Sequence, residues 1–151
     1  MSFFTDKSEG GHVLNLYFAC SLTGGRQDEW AYGVIVTHLE RAGHEIPTAH
    51  LADPDVMELE KVSAAAEIYE RDTQWIRGCN ALIAEVSTPS HGVGYEIAYA
   101  LGLSKPVLCC YQEGVTVSKM ILGNDSRGLT IKSYRNEDEL RELLDQFLAS
   151  L

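Results

Sequence analysis

Apolar runs alternate with stretches of helical period along most of this chain. Val13–Cys20 (VLNLYFAC) reads as a first buried strand, closed by the small polar loop S-L-T-G-G-R. Arg26–Arg41 has helical spacing and ends at Gly43. His44–Leu51 is expected to be a second strand, placed toward a sheet edge because Pro47 has no N–H to donate to a ladder. Asp53-Pro54 opens an irregular segment, and Ala64–Arg77 returns to helix. Ala81–Val86 is expected to be a third strand, Gly94–Leu103 the helix after it, and Lys105–Tyr111 a fourth strand. A short helix over about Val115–Leu122 then leads to a fifth strand, Leu129–Ser133. Asn136 starts the last helix, with Glu139 three residues on as the second half of a capping box.

Strands that are apolar throughout, rather than alternating, are buried on both faces, and helices between them imply a parallel sheet. The expected architecture is α/β: a three-layer, Rossmann/flavodoxin-like single domain over residues 13–151 with a five-stranded parallel sheet. Residues 1–12 are expected to be a flexible N-terminus. Ligands of such sheets bind at the carboxyl ends of the strands, where the strand order reverses. The loops after the first and third strands fall there.

Charge and composition narrow the partners. The net charge of -10 repels phosphate at long range, which argues against nucleic-acid polymers and anionic membranes. No apolar run approaches the ~20 residues of a membrane span. Cys20, Cys79, Cys109 and Cys110 lack CxxC spacing and sit mostly in apolar runs, as buried free thiols of a cytoplasmic protein would. The five histidines lack metal-ligand spacing, and His44 with His50 reads as a strand pair. No metal or cofactor is expected.

The segment S-H-G-V-G-Y-E-I-A, Ser90–Ala98, holds the sharpest chemistry. Gly92 and Gly94 would form a tight strand-to-helix turn that lets backbone approach a ligand. Glu96 would fall in the first helical turn, where the helix dipole favours an ionised carboxylate. The dinucleotide and P-loop patterns are absent: Ile97 stands where a third glycine belongs, and no G-x-x-x-x-G-K-[ST] occurs. A phosphate-sized set of donors remains in Ser21, Thr23, Gly24, Gly25 and Arg26 after the first strand, with Ser90 and Gly92 after the third. Asp72 is a misplaced charge, inside the apolar stripe Ile68, Trp75, Ile76, Cys79; it needs either a basic partner or a role at the site. Tyr17 can bury its ring while its hydroxyl reaches the sheet edge, and Glu85, inside a strand, calls for a structural partner.

Four blocks in order, L-Y-F-A-C-S-L-T-G-G-R, E-R-D-T-Q-W-I, I-A-E-V-S-T-P-S-H-G-V-G-Y-E-I and V-S-K-M-I, resemble the 2′-deoxynucleoside 5′-phosphate N-hydrolases of the nucleoside 2-deoxyribosyltransferase superfamily. The resemblance runs from Val13 to the C-terminus. It implies cleavage of the N-glycosidic bond of a nucleoside 5′-monophosphate, releasing free base and a sugar 5-phosphate. Carried over residue by residue, Glu96 would be the nucleophile, Asp72 the acid or orienting carboxylate, and Tyr17 the group that places Glu96 and the sugar. Phosphate would lie against Cys20, Ser21, Leu22 and Thr23 with Ser90 and Gly92; His50 would stand on the base side. Ser118 matches a serine that reaches the phosphate across a homodimer interface, and the apolar Val115, Val117, Met120, Ile121 and Leu122 around it suit such an interface. Thr23 replaces an arginine and Cys20 a glycine of better-known members, and Arg26 is positioned to compensate. A deoxyribosyltransferase and a non-catalytic nucleotide sensor are the alternative readings. Phosphate-binding serines argue against the first, and Tyr17, Asp72 and Glu96 together argue against the second.

Overall fold

The computed structural model describes residues 11–22 and 27–151. Four strands, β1 (Leu16–Ala19), β2 (Ala81–Glu85), β3 (Val107–Gln112) and β4 (Leu129–Tyr134), form one parallel sheet in the order β1-β2-β3-β4. The helices are α1 (Glu29–Arg41), α2 (Val56–Glu60), α3 (Ala65–Gly78), α4 (His91–Gly102), α5 (Lys119–Leu122) and α6 (Glu137–Ala149). No helix of the described residues is long and apolar enough to cross a membrane.

The expected strand His44–Leu51 does not form, so the described sheet has four strands rather than five. One parallel bridge survives, between Asn15 and Glu45, with Leu16 N donating to Glu45 O at 2.8 Å and Glu45 N to Leu14 O at 2.9 Å. Pro47 then removes the next donor, and the chain turns into a 3-10 turn at Ala49–Ala52. Thr48 takes over at the edge. Its buried hydroxyl accepts from Phe18 N at 2.9 Å, supplying the acceptor that a strand carbonyl would have provided. The two histidines are not a pair: His44 Nδ1 accepts from Leu14 N, while His50 Nε2 meets Glu60 Oε1 at 3.0 Å. Because the chain leaves β1 toward this edge and returns to β2 on the other side, the order reverses between β1 and β2.

Each strand feeds two cores because successive side chains alternate faces. Leu16, Phe18, Ile83, Leu108 and Cys110 pack with Ile35 and Leu39 of α1 and Leu140, Leu144 and Phe147 of α6. Tyr17, Ala19, Leu82, Ala84 and Cys109 pack on the other side with Ile76 of α3 and Val93, Ile97 and Ala100 of α4. All four cysteines are buried, and none forms a disulfide. Tyr17 thus points toward α3 and α4 because of its parity in β1, and that parity brings it to the site. At the C-terminal end Asn136 accepts from Glu139 N at 2.9 Å, and the Glu139 carboxylate reaches back to Arg135 N at 2.8 Å, one residue earlier than the usual capping box.

Candidate active site

The helix α4 starts earlier than its periodicity predicts. Ser90 is its N-cap, in extended conformation, and its hydroxyl accepts from Val93 N at 3.3 Å. Gly92 and Gly94 therefore lie in the first turn of helix rather than in a turn before it. Glu96 falls beyond the first turn, so the dipole does not dominate its charge. Burial does instead: removal from water pushes the Glu96 carboxyl up to about 7, with Asp72 adding repulsion while Tyr17 and Arg71 oppose the rise. The ionised carboxylate expected from the sequence is thus half-protonated near neutral pH.

Tyr17, entirely buried in β1, donates its phenol hydrogen to Glu96 Oε2. Burial and the neighbouring carboxylates hold this phenol far above its usual range, so it remains a donor. Asp72 stands on α3, half-buried, and burial raises its pKa as well. Its partner is the adjacent Arg71, whose Nε donates to Asp72 Oδ1 at 2.8 Å. Arg71 Nη2 reaches Glu60 Oε1 at 3.2 Å, and its guanidinium lies 4.9 Å from the centre of the Trp75 ring. Asp72 therefore has the basic partner its apolar surroundings demand, and it faces a cleft at the same time.

That cleft, of about 380 Å3, lies at the carboxyl ends of β1 and β2, where the strand order reverses. Cys20 and Leu22 border it on one side, Ser90, Gly92 and Glu96 on another, and Glu60, Arg71 and Asp72 on a third. A Cβ added at Gly92 would stand 3.9 Å from both Glu96 Oε1 and Ser90 Oγ, within the space these two groups face. A smaller opening between Tyr69 and Tyr95 also reaches Asp72 and Glu96.

The structure brings Tyr17, Asp72, Glu96, Cys20, Leu22, Ser90 and Gly92 to one place. Ser21 is buried beside Cys20. Thr23, Gly24, Gly25 and Arg26 lie outside the described residues. His50 stands next to the cleft, against Glu60 and 6.1 Å from the Trp75 ring centre. Ser118 is exposed, caps α5 and accepts from Met120 N at 3.2 Å. It lines a separate groove of about 640 Å3 between α4 and α5 that shares Ser90 and Val93 with the cleft. Sequence reasoning missed Glu60 and Arg71. Arg71 had a signal, since it precedes the misplaced Asp72; Glu60, in an irregular stretch, had none. Among the described residues no group of three or more His, Cys, Asp or Glu is arranged to hold a metal ion.

Residues 16–140 match the nucleoside 2-deoxyribosyltransferase family. A Methanosarcina mazei protein named as a candidate 2′-deoxynucleoside 5′-phosphate N-hydrolase 1 is 40% identical over 137 residues, 91% of this chain and 85% of that one. The 5-hydroxymethyl-dUMP N-hydrolase of Rattus norvegicus is 37% identical over 138 residues, 88% of this chain and 83% of that one. Among solved structures, a CMP N-glycosidase of Clostridium botulinum superposes with a TM-score of 0.63 at 21% identity, covering 87% of this chain and 98% of that one. At that identity the likeness shows the shared fold.

Proposed function

This chain belongs to the nucleoside 2-deoxyribosyltransferase family, and on that premise we propose that it hydrolyses the N-glycosidic bond of nucleoside or deoxynucleoside 5′-monophosphates. The observation that carries the reading is the Glu96 carboxylate, oriented by Tyr17 and poised near neutrality beside Asp72 at the reversal of strand order. The names of the two N-hydrolase relatives support the same chemistry.

Cleavage of a glycosidic bond develops positive charge at C1′, which a nearby carboxylate stabilises. In the proposed sequence a Glu96 oxygen bonds to C1′ as the C1′–N bond breaks. The bonding pair leaves with the base, which takes a proton from Asp72. Water then attacks C1′, the Glu96–C1′ bond breaks, and the proton of the water returns to Asp72. The sum is one water consumed, one free base and one sugar 5-phosphate released. Tyr17 holds the attacking oxygen in line. Burial keeps Asp72 more basic than a solvent-exposed aspartate, which favours the protonated acid the first step needs.

The 5′-phosphate is assigned to the backbone and hydroxyls of Ser21, Leu22, Ser90 and Gly92, with Cys20 alongside, because the N-terminus of α4 faces the cleft there. Thr23, Gly25 and Arg26 complete this set in the proposal, and His50 flanks the base. Ser118 is assigned to the phosphate of a second subunit in a homodimer; its exposure and the mostly apolar groove around it support that assignment. Four buried cysteines outside any disulfide suit a cytoplasmic location. Transfer of the sugar to a second base is the competing outcome, favoured by the family match itself.

A panel of ribo- and deoxyribonucleoside monophosphates, with free base and sugar phosphate measured by chromatography, tests the proposal. Stoichiometric base and sugar 5-phosphate are expected. Release of base only when a second base is supplied, with a new nucleoside formed, would establish the transferase instead.

A further inference from the structure

Behind the loop that carries Ser90 runs a buried chain of polar groups that the proposed chemistry does not use. Glu85 ends β2 with its side chain fully buried. It accepts from Ser87 N at 2.6 Å, Ser87 Oγ at 3.1 Å and Tyr134 Oη at 2.5 Å. Ser87 Oγ in turn accepts from Gln112 N at 2.9 Å, which pins the start of the loop to β3. Gln112 Nε2 donates to Asp28 Oδ1 at 2.5 Å, and Thr88 Oγ1 donates to Asp28 Oδ2 at 2.6 Å. Asp28 and Thr88 are 7% and 4% exposed, so water contributes little to either.

Asp28 is the N-cap residue of α1, where an aspartate ordinarily turns its carboxylate onto the first helical N–H groups. Here it makes no such cap. Both of its oxygens are committed to other elements, one to the β2–α4 loop and one to β3. A helix that forgoes a side-chain cap loses stability at its first turn. The bridge to Thr88 is buried, where a hydrogen bond is electrostatically stronger than at an exposed helix end, which favours it over the cap.

We propose that the Asp28–Thr88 bridge is a positioning clamp that locks the start of α1 to the loop before α4, and so sets Ser90 and Gly92 for a phosphate group. The inference rests on the phosphate assignment made for Ser90 and Gly92 above. Thr88 is separated from Ser90 only by Pro89, whose ring restricts φ and transmits the position of Thr88 to the hydroxyl of Ser90. Release of Thr88 would leave the loop held at Ser87 and free to swing at Ser90. Affinity for the phosphate would suffer first, because Ser90 is two residues from Thr88, whereas Glu96 sits a turn further into α4 and is held there by Tyr17 of β1.

Thr88→Val keeps the shape and removes the donor. Ribose 5-phosphate binding, by calorimetry on the full chain, is expected to weaken about 10-fold or more. The KM for a nucleoside monophosphate is expected to rise by a similar factor while kcat changes by less than about 3-fold. Thr88→Ser, which retains the hydroxyl, is expected to restore both. Wild-type KM and binding in Thr88→Val, a loss confined to kcat, or an equal loss in Thr88→Ser would overturn the clamp and leave the hydrolase reading intact. A wild-type chain that binds no ribose 5-phosphate would also overturn it. Weakened ribose 5-phosphate binding in a chain whose wild type cleaves no monophosphate would keep the clamp and sink the hydrolase reading. Should Thr88→Val fail to fold, Thr88→Ala removes the same donor without placing a methyl group against the Asp28 carboxylate; an unchanged KM there would overturn the clamp.

Discussion

The phenol of Tyr17 in β1 donates to the carboxylate of Glu96 in α4, joining residues 79 positions apart in the chain. This bond opposes the burial that otherwise raises the Glu96 carboxyl, and it fixes which oxygen faces the cleft. Tyr17→Phe removes the donor and keeps the ring. The Glu96 pKa is then expected to rise above about 7, moving the acid limb of the kcat/KM profile to higher pH. An acid limb at the wild-type position in Tyr17→Phe would separate the two residues functionally.

Glu96→Gln is expected to lower kcat/KM by about 10³-fold or more, since the amide is a poor nucleophile of the same shape. The same variant has a stability signature of opposite sign. A carboxyl raised from 4.5 to about 7 stabilises the fold fully below the unfolded value. That contribution is lost as pH climbs through about 7. Glu96→Gln escapes the loss, so at pH about 8 it should resist urea better than wild type, by up to roughly 3 kcal/mol. Equal stability of the two proteins at both about pH 5 and pH 8 would show that burial does not strain this carboxyl.

Asp72→Asn keeps volume and an acceptor for Arg71 but cannot cycle a proton. Single-turnover kinetics should show base release slowed about 10²-fold or more, with little change in substrate affinity. A substrate whose base leaves without protonation is expected to recover most of the rate. Failure of such a substrate to recover would place Asp72 in binding rather than in proton transfer.

Thr48→Val leaves the buried Phe18 N–H without its acceptor at the edge of β1. Unfolding by urea should reveal a loss of about 1–3 kcal/mol, and Thr48→Ser should recover most of it. Indistinguishable midpoints for Thr48→Val and wild type would mean that the strand edge finds another acceptor.

Mixed assembly tests the role of Ser118. Ser118→Ala and Glu96→Ala subunits, each weakly active alone, should form heterodimers in which one site carries both defects and the other neither. Activity well above either parent is expected after subunit exchange. No recovery after exchange confirmed by mass spectrometry would confine each site to one chain.

The sequence by itself determined the alternation of strand and helix, the parallel sheet, and the family, since all of these follow from local period and contiguous motif blocks. It also marked Asp72 and Glu85 as charges in apolar settings, a local contradiction visible without coordinates. The tertiary structure decided how each contradiction is resolved: Asp72 by Arg71 beside the cleft, Glu85 by Ser87 and by Tyr134, which lies 49 residues away. It also decided that His44–Leu51 is not a strand. The period there suits one, yet Pro47 cannot donate, and Thr48 offers β1 a side-chain acceptor instead. The place of Glu96 near a helix start predicts an ionised carboxylate, whereas burial raises its pKa to about 7, because dipole effects are local and desolvation depends on everything packed around the carboxylate. Asp28 is the extreme case. The sequence expects it inside a helix from Arg26, whereas the folded chain places it at the N-cap of α1 and brings Thr88, 60 residues on, close enough to take up its carboxylate.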